Sequence, residues 1–189
     1  MRTVALFAAM AFALSLAACG GGGGSTKKVG DYMPKTGDIT GWEVDTTPWS
    51  QNPPAGGIAV AYTRAEAEIL IDGHITIFVD DVGGWAGMAM AYYKNSDKTT
   101  DLQIYEMTTK DQALAVFNHD SIKGLSTWED LAGIGDAARR RFSSATEAWL
   151  LHAVKGKYFI EIDLGKTGND DPGKQLITGF LTAVLDRLP

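Results

Sequence analysis

The sequence predicts an α+β domain, with an antiparallel sheet of about five or six strands packed by two or three helices. Three observations lead there. The last stretch before the C-terminus is an amphipathic helix whose apolar face needs a sheet or helix to cover it. Three short strand-like segments run in a meander just before that helix. Along the whole chain the order is helix, two strands, helix, three strands, helix. No second Pro/Gly/Ser-rich linker interrupts residues 29–189, so they are read as a single domain.

Residues 31–57 are rich in Pro, Gly and Thr and read as surface loop around a short strand at Trp42 to Val44. Thr63-Arg64-Ala65-Glu66 then forms a capping box, in which the Thr hydroxyl and the Glu carboxylate each satisfy an N–H left over at a helix start. Ala67, Leu70, Ile71, His74, Ile75, Phe78 and Val82 continue at helical spacing, which favours one helix over residues 64–82. Gly73 weakens that helix by about 1 kcal/mol. The rival reading ends the helix at Gly73 and makes residues 74–79 a strand. Trp85 to Lys94 and Leu102 to Met107 read as two strands joined by the polar turn Asn95-Ser96-Asp97-Lys98.

Thr109-Lys110-Asp111-Gln112 is a second capping box, opening a helix with Ala113, Leu114, Val116 and Phe117 as its apolar stripe. Residues 119–137 read mostly as loop. Strands follow at residues 138–142, 147–154 and 158–164, the last two joined by Lys155-Gly156-Lys157. In the last strand Tyr158, Ile160, Ile162 and Leu164 share one face, and Glu161 and Asp163 point to the other. The final helix has Asp171 as its cap and Pro172 in its first turn. Leu176, Ile177, Phe180, Leu181, Val184, Leu185 and Leu188 form its apolar face.

The N-terminus carries an address. Arg2 precedes an apolar run from Val4 to Leu14, too short for a membrane span of roughly 20 residues and laid out as a secretory signal. Leu16-Ala17-Ala18-Cys19 closely resembles the lipobox of bacterial lipoproteins. That resemblance implies a signal peptide over residues 1–18, cut before Cys19, and a diacylglycerol on the Cys19 sulfur. Two or more acyl chains hold a protein to a bilayer stably, at about 0.8 kcal/mol per buried CH2. Residues 19–28 then comprise the lipidated cysteine and a Gly-rich tether, and ten such residues span about 17 to 19 Å on average. Gly20 stands where an Asp would resemble the inner-membrane retention signal of enteric bacteria. The expectation is therefore an exported cell-envelope protein, held at the outer membrane where there is one.

Cys19 is the only cysteine, so the mature domain has no disulfide, thiol nucleophile or cysteine metal site. Asp and Glu outnumber Lys and Arg by 23 to 17, which argues against a nucleic-acid partner. The expected partners are the membrane, through the lipid on Cys19, and an envelope protein or small ligand.

The domain itself also carries a resemblance. Gly41-Trp42, Ile71-Asp72-Gly73, Tyr92-Tyr93, Ile104-Tyr105-Glu106-Met107, Ala113 with Val116-Phe117, and Lys155-Gly156-Lys157-Tyr158-Phe159 follow the order of landmarks in a family of secreted bacterial domains of unknown function. The chain departs from that family's middle landmark at His74, Ile75 and Thr76. The resemblance implies helix at residues 64–82 and no activity. Gly133-Ile134-Gly135-Asp136-Ala137 separately resembles a loop of small envelope lipoproteins of the PsbP/Mog1-like α+β kind.

Candidate chemistry is sparse. Residues 133–138 fit the loose G-x-G-x-x-A dinucleotide pattern, which needs a strand before it and a helix after it, whereas a loop and a strand are expected here. His74, His119 and His152 lack the three- or four-residue spacing of paired metal ligands on one helix. No Gly-x-Ser-x-Gly elbow exists, and Ser126 is the nearest approach. Asp80-Asp81 is read as a solvated helix end. Asp163, Asn169, Asp170 and Asp171 could gather around calcium, but Lys174 stands where a bidentate Glu belongs. Arg139-Arg140-Arg141 on a strand places Arg139 and Arg141 on one face, a candidate carboxylate or phosphate contact. The competing reading is a charged edge that resists strand pairing. Trp42, Trp85 and Trp149 are expected in the core, while Trp49 and Trp128 fall in loops.

No catalytic, cofactor or metal site is therefore expected. The favoured reading is a non-enzymatic binding or structural domain. The alternative is a hydrolase-like envelope enzyme built around His152 and the arginine run, which a compact pocket joining those residues would favour. The anchor itself is testable. Cys19→Ser should abolish incorporation of a fatty-acid probe and leave the signal uncut, and equal labelling of the variant would refute lipidation.

Overall fold

The computed structural model describes residues 27–47, 57–124 and 127–189. Cys19, Trp49 and Ser126 lie outside them. The described residues form one α+β unit around an eight-stranded antiparallel sheet. In chain order the elements are β1 (Glu43–Val44), β2 (Ala59–Ala61), α1 (Arg64–Ile71), β3 (Trp85–Asn95), β4 (Lys98–Met107), α2 (Lys110–Asn118), α3 (Asp120–Lys123), β5 (Glu129–Asp130), β6 (Ala137–Ser143), β7 (Ala148–Lys155), β8 (Tyr158–Gly165) and α4 (Asp171–Leu185). A 3-10 turn at Val29–Tyr32 and a π-helical turn at Ile77–Asp81 complete them. The sheet order is β1-β3-β4-β8-β7-β6-β5, with β2 beside β1 on the same edge of β3.

The fold class is as expected, but the counts are higher. The additional strands are the short edge pieces β2 and β5, whose two or three residues carry too little pattern to stand out. The helix expected over residues 64–82 is broken. Asp72 and Gly73 adopt positive φ (38° and 71°), ending α1, and the chain resumes helically before the π-turn, where Val82 N–H donates to the Ile77 carbonyl at 3.0 Å. The rival strand at residues 74–79 is absent too. The first strand of the central hairpin extends to Asn95 and its partner begins at Lys98, so the turn is only Ser96-Asp97.

Local signals fold as their chemistry dictates. In both capping boxes the Thr63 and Thr109 hydroxyls accept from the N–H groups of Glu66 and Gln112, whose side chains accept from the Thr N–H in return. The cap of α4 is Asp170 rather than Asp171: the Asp170 carboxylate accepts from Gly173 N–H at 2.8 Å. At the other end of α4, the Lys155 ammonium donates to the Leu185 and Leu188 carbonyls at 2.7 and 2.8 Å, satisfying acceptors that a helix leaves over.

The sheet has a core on each side. The inner core packs α4 and the Val29–Tyr32 turn against Leu102, Ile104, Leu151, Ile160, Ile162 and Leu164. Phe180 is its centre, edge-on to Trp42 and Tyr93 with centroids 5.3 and 5.4 Å away. The outer core packs α1, the π-turn and α2 against Met88, Tyr105, Val154 and Phe159. Phe180 is only 2% exposed. Phe180→Ala should therefore cost about 3 to 5 kcal/mol. A denaturant titration showing no loss would mean that α4 is not docked as described.

Candidate functional site

Residues paired across antiparallel strands point to the same face, so the registers define rows across the sheet. On the outer face one row is Ala137, Val154, Phe159, Tyr105 and Met88. It is apolar and lies under the helices: Phe78 stacks flat on Tyr105, and Val116 of α2 is buried in the same cluster. The next row is Asp130, Arg139, His152, Glu161, Gln103 and Met90. The third is Arg141, Leu150, Asp163, Asp101 and Tyr92. Thus the outer face turns from apolar to charged within one strand-residue repeat, and the charged rows meet Phe117 of α2 at one end and Leu70, Ile71 and His74 at the other.

At the β6 end of this band, Arg139 is 3% exposed. Its guanidinium carbon lies 4.3 Å from the Phe117 ring centroid and 4.7 Å from that of Trp128. Its Nη2 and Nε lie 3.1 and 3.4 Å from His152 Nδ1. Since a guanidinium only donates, Nδ1 accepts, and the proton of a neutral imidazole sits on Nε2, which faces Glu161 Oε1 at 3.7 Å. Burial holds His152 below its ordinary pKa, and the Arg139 and Arg141 charges act in the same direction. Burial also lowers the Arg139 pKa, against the pull of Asp130. Trp128 closes this corner: its ring lies 4.5 Å from His152 and 5.0 Å from the Arg141 guanidinium, and its indole N–H donates to the Lys123 carbonyl at 2.7 Å. Among the described residues no carboxylate oxygen lies within 4.0 Å of the Arg139 or Arg141 guanidinium nitrogens. The Arg141 Nε is buried without a hydrogen-bond partner.

Beside this stack runs an open groove of about 670 Å³ lined by Phe117, Lys123, Trp128, Asp130, Ile134 and Arg139, among others. The loop that forms its far wall is built for the fold. At Gly135, φ is +60° and an added Cβ would sit 2.5 Å from the Val154 carbonyl oxygen. Asp136 accepts from Gly156 N–H at 2.7 Å and pairs with Lys110. A strand, β6, follows this loop where a dinucleotide site needs a helix.

Arg139 and Arg141 do share a face, and Arg139 meets His152. Arg140 points to the inner face, held by Glu129 at 3.0 and 2.7 Å and donating to Thr178 Oγ1 at 2.9 Å. His119 caps α3 by accepting from Ser121 N–H, and its other nitrogen faces Asp81 at 3.6 Å. Asp80 pairs with Arg64. Asp163 lies on the outer face while Asp170 caps α4. Among the described residues no group of three His, Cys, Asp or Glu side chains is placed to hold a metal ion. Of the tryptophans expected in the core, Trp42 and Trp149 are each 3% exposed and Trp85 is half-buried. Trp128 packs back onto the fold.

Sequence reasoning missed Phe117, Lys123 and Asp130 as groove residues, and Asp101, Gln103 and Glu161 as neighbours in the charged band. One signal for Glu161 was available. A two-residue turn at Gly156-Lys157 pairs Lys155 with Tyr158, and counting back sets His152 opposite Glu161.

No family model matches the chain, and no curated protein matches it. Among solved structures the chain is similar to the extracellular domain of PknH from Mycobacterium tuberculosis, with a TM-score of 0.39 and 9% identity over 72% of this chain and 79% of that one. A likeness at that level identifies neither a family nor an activity.

Asp101 supplies a pH test of the charged band. Its Oδ2 accepts from Gln103 Nε2 at 2.9 Å, while Oδ1 is buried without a partner. Burial pushes its pKa from 3.8 up to about 7, and Glu161 and Asp163 push the same way. A carboxyl raised on folding stabilises fully below its unfolded pKa, and that stability is lost as pH rises to the folded value. The stability of Asp101→Asn relative to the parent should therefore climb between pH 4 and pH 7 and level off above. Parallel pH profiles for the two proteins would show that Asp101 ionises normally.

Proposed function

We propose that this chain is a cell-envelope lipoprotein, anchored through Cys19, whose domain binds a small carboxylate- or phosphate-bearing ligand without transforming it. The observation that carries the binding reading is the Arg139 guanidinium. It is 3% exposed, forms part of the groove wall, and meets a neutral histidine and two aromatic faces, with Asp130 a cross-strand neighbour that makes no salt bridge to it. Taking a cation out of water without an opposite charge is costly. An anion entering the groove would relieve that cost and gain charge-assisted hydrogen bonds. Nη1 of Arg139 makes no hydrogen bond among the described residues. Lys123 adds a second positive group on the wall, and Asp130 beside Arg139 disfavours a ligand with negative charge over its whole length.

The enzymatic alternative has one observation in its favour, the contact between Arg139 and His152. Against it, His152 is 4% exposed and is not part of the groove wall. Its Nδ1 is occupied by Arg139, and its Nε2 faces Glu161. A general base needs a lone pair within reach of the proton it takes, and neither nitrogen offers one to a ligand in the groove.

The test uses the mature chain carrying Cys19→Ser and two probes, inorganic phosphate and succinate. Saturable movement of the Trp128 indole N–H resonance is expected with at least one probe, and should weaken at least tenfold in Arg139→Gln. Absence of saturation, or an unchanged titration in the folded variant, would remove the anion site. Should His152→Gln abolish complementation of a deletion phenotype while fold and anion binding persist, the enzymatic reading replaces this one.

A further inference from the structure

Most of the large apolar surface that the described residues leave exposed lies on one strand. Ile58, Val60 and Tyr62 are 36%, 44% and 40% exposed, and Ile69 on α1 is the remaining case. The first three alternate along β2 and its flanks, so they project to the same side, while Ala59 and Ala61 between them are 5% and 0% exposed. This inverts the usual economy of an edge strand, in which small or charged residues face out. Among the described residues strand β2 pairs only with β3, and no strand pairs with its other edge.

The chain enters the fold at this edge. Lys28 Nζ lies 5.2 Å from the Tyr62 ring centroid, and Lys27 Nζ lies 5.8 Å from that of Tyr32. Gly30 passes so close to Val60 that an added Cβ would lie 2.6 Å from Val60 Cγ1. Only residues 20–26 separate Cys19 from Lys27. Eight Cα steps reach at most about 26 to 29 Å when fully extended. The sheet order places β5 six strand spacings from β1, about 29 Å across at 4.8 Å each. A tether of that length cannot readily pass around the domain and leave the β5 edge against the bilayer. It keeps the chain entry beside β2 within about 29 Å of the lipid.

We infer that the β2 edge, with Ile58, Val60 and Tyr62 flanked by Lys27 and Lys28, is the membrane-facing surface of the domain and seats at the phospholipid headgroups. The inference rests on Cys19 being lipidated. The composition suits that depth. Tyrosine has an apolar body and a polar tip, and lysine extends its ammonium to the headgroups while its stem stays in apolar contact. Two branched aliphatic side chains between them supply the area that leaves water. Three such residues are too few to bind a bilayer alone, but the tether keeps them at high local concentration beside it. The Arg139 groove, at the β5–β6 edge, then opens away from the membrane.

The test labels the lipidated protein with an environment-sensitive nitrobenzoxadiazole dye. With the Cys19 sulfur acylated, Val60→Cys is the single free thiol, and Thr146→Cys, in the exposed β6–β7 turn, is the control. Each is placed at one copy per phosphatidylcholine nanodisc, with and without lipid spin-labelled just below the headgroup. The expected result is blue-shifted, spin-quenched emission at position 60 and water-like, unquenched emission at position 146. Water-like emission at both positions overturns the inference while leaving the anchor intact. A blue shift confined to discs holding two copies also overturns it, by assigning the edge to a second copy of this chain. Protein that never associates with lipid refutes lipidation itself, and the inference with it.

Discussion

The stacking of Phe78 on Tyr105, with ring centroids 4.0 Å apart and planes 9° from parallel, sets how far the helical layer reaches across the outer face of the sheet. Phe78 also approaches Phe159 on the neighbouring strand. The two strand aromatics belong to a single row, so the π-turn and α2 are drawn over that row. Asp72 and Gly73 make this possible. A continuous helix over residues 64–82 would carry its stripe straight on. The break at positive φ lets the chain turn and set Phe78 down on the sheet.

Beyond that row the strands keep their pairing, the helical layer thins to Phe117 at one end and the end of α1 at the other, and the residue types change with the environment. Met88, Tyr105, Phe159 and Val154 give way to Gln103, Glu161, His152 and Arg139 one row on. The sheet could have ended in an ordinary solvated face. Instead Trp128, just ahead of β5, returns over Arg139, Arg141 and His152 and shields them from water. Each cation–π contact is worth about 0.5 to 2 kcal/mol, more when desolvated. These contacts hold the corner together without supplying a carboxylate in salt-bridge contact with the buried guanidinium. Function is proposed at this corner because the polar groups there are only partly answered by the chain itself.

The two ends of the sheet have opposite character. At one end β2 presents large aliphatic and aromatic side chains beside the entering chain. At the other, β5 and β6 carry charged residues and the groove. If the first end is held at a membrane, the ligand would approach from the aqueous side. One side of the sheet would then be given over to α4 and stability, and the other divided between helical cover and a charged band.

Much of this was legible in the sequence because it is local. The capping boxes at Thr63 and Thr109, the stripe from Ile177 to Leu188, and the alternation from Tyr158 to Leu164 depend on neighbours within a few residues. They folded as read. Alternation likewise placed Arg139 and Arg141 on one face, and the lipobox-like stretch ending at Cys19 is a linear pattern with no need of a fold. Other features were decided only when distant segments met. Ala59-Val60-Ala61 becomes a strand because β3 offers it a partner. Lys98 to Asp101 is strand despite its polarity because β3 and β8 pair with it on both sides. The union of Phe117, Trp128, Arg139 and His152 joins a helix, a loop and two strands, through registers set by tertiary packing. Short-range hydrogen-bonding and periodicity can be read one residue at a time. Which side chains share a desolvated corner depends on contacts between remote segments, and those form only as the chain collapses around its two cores.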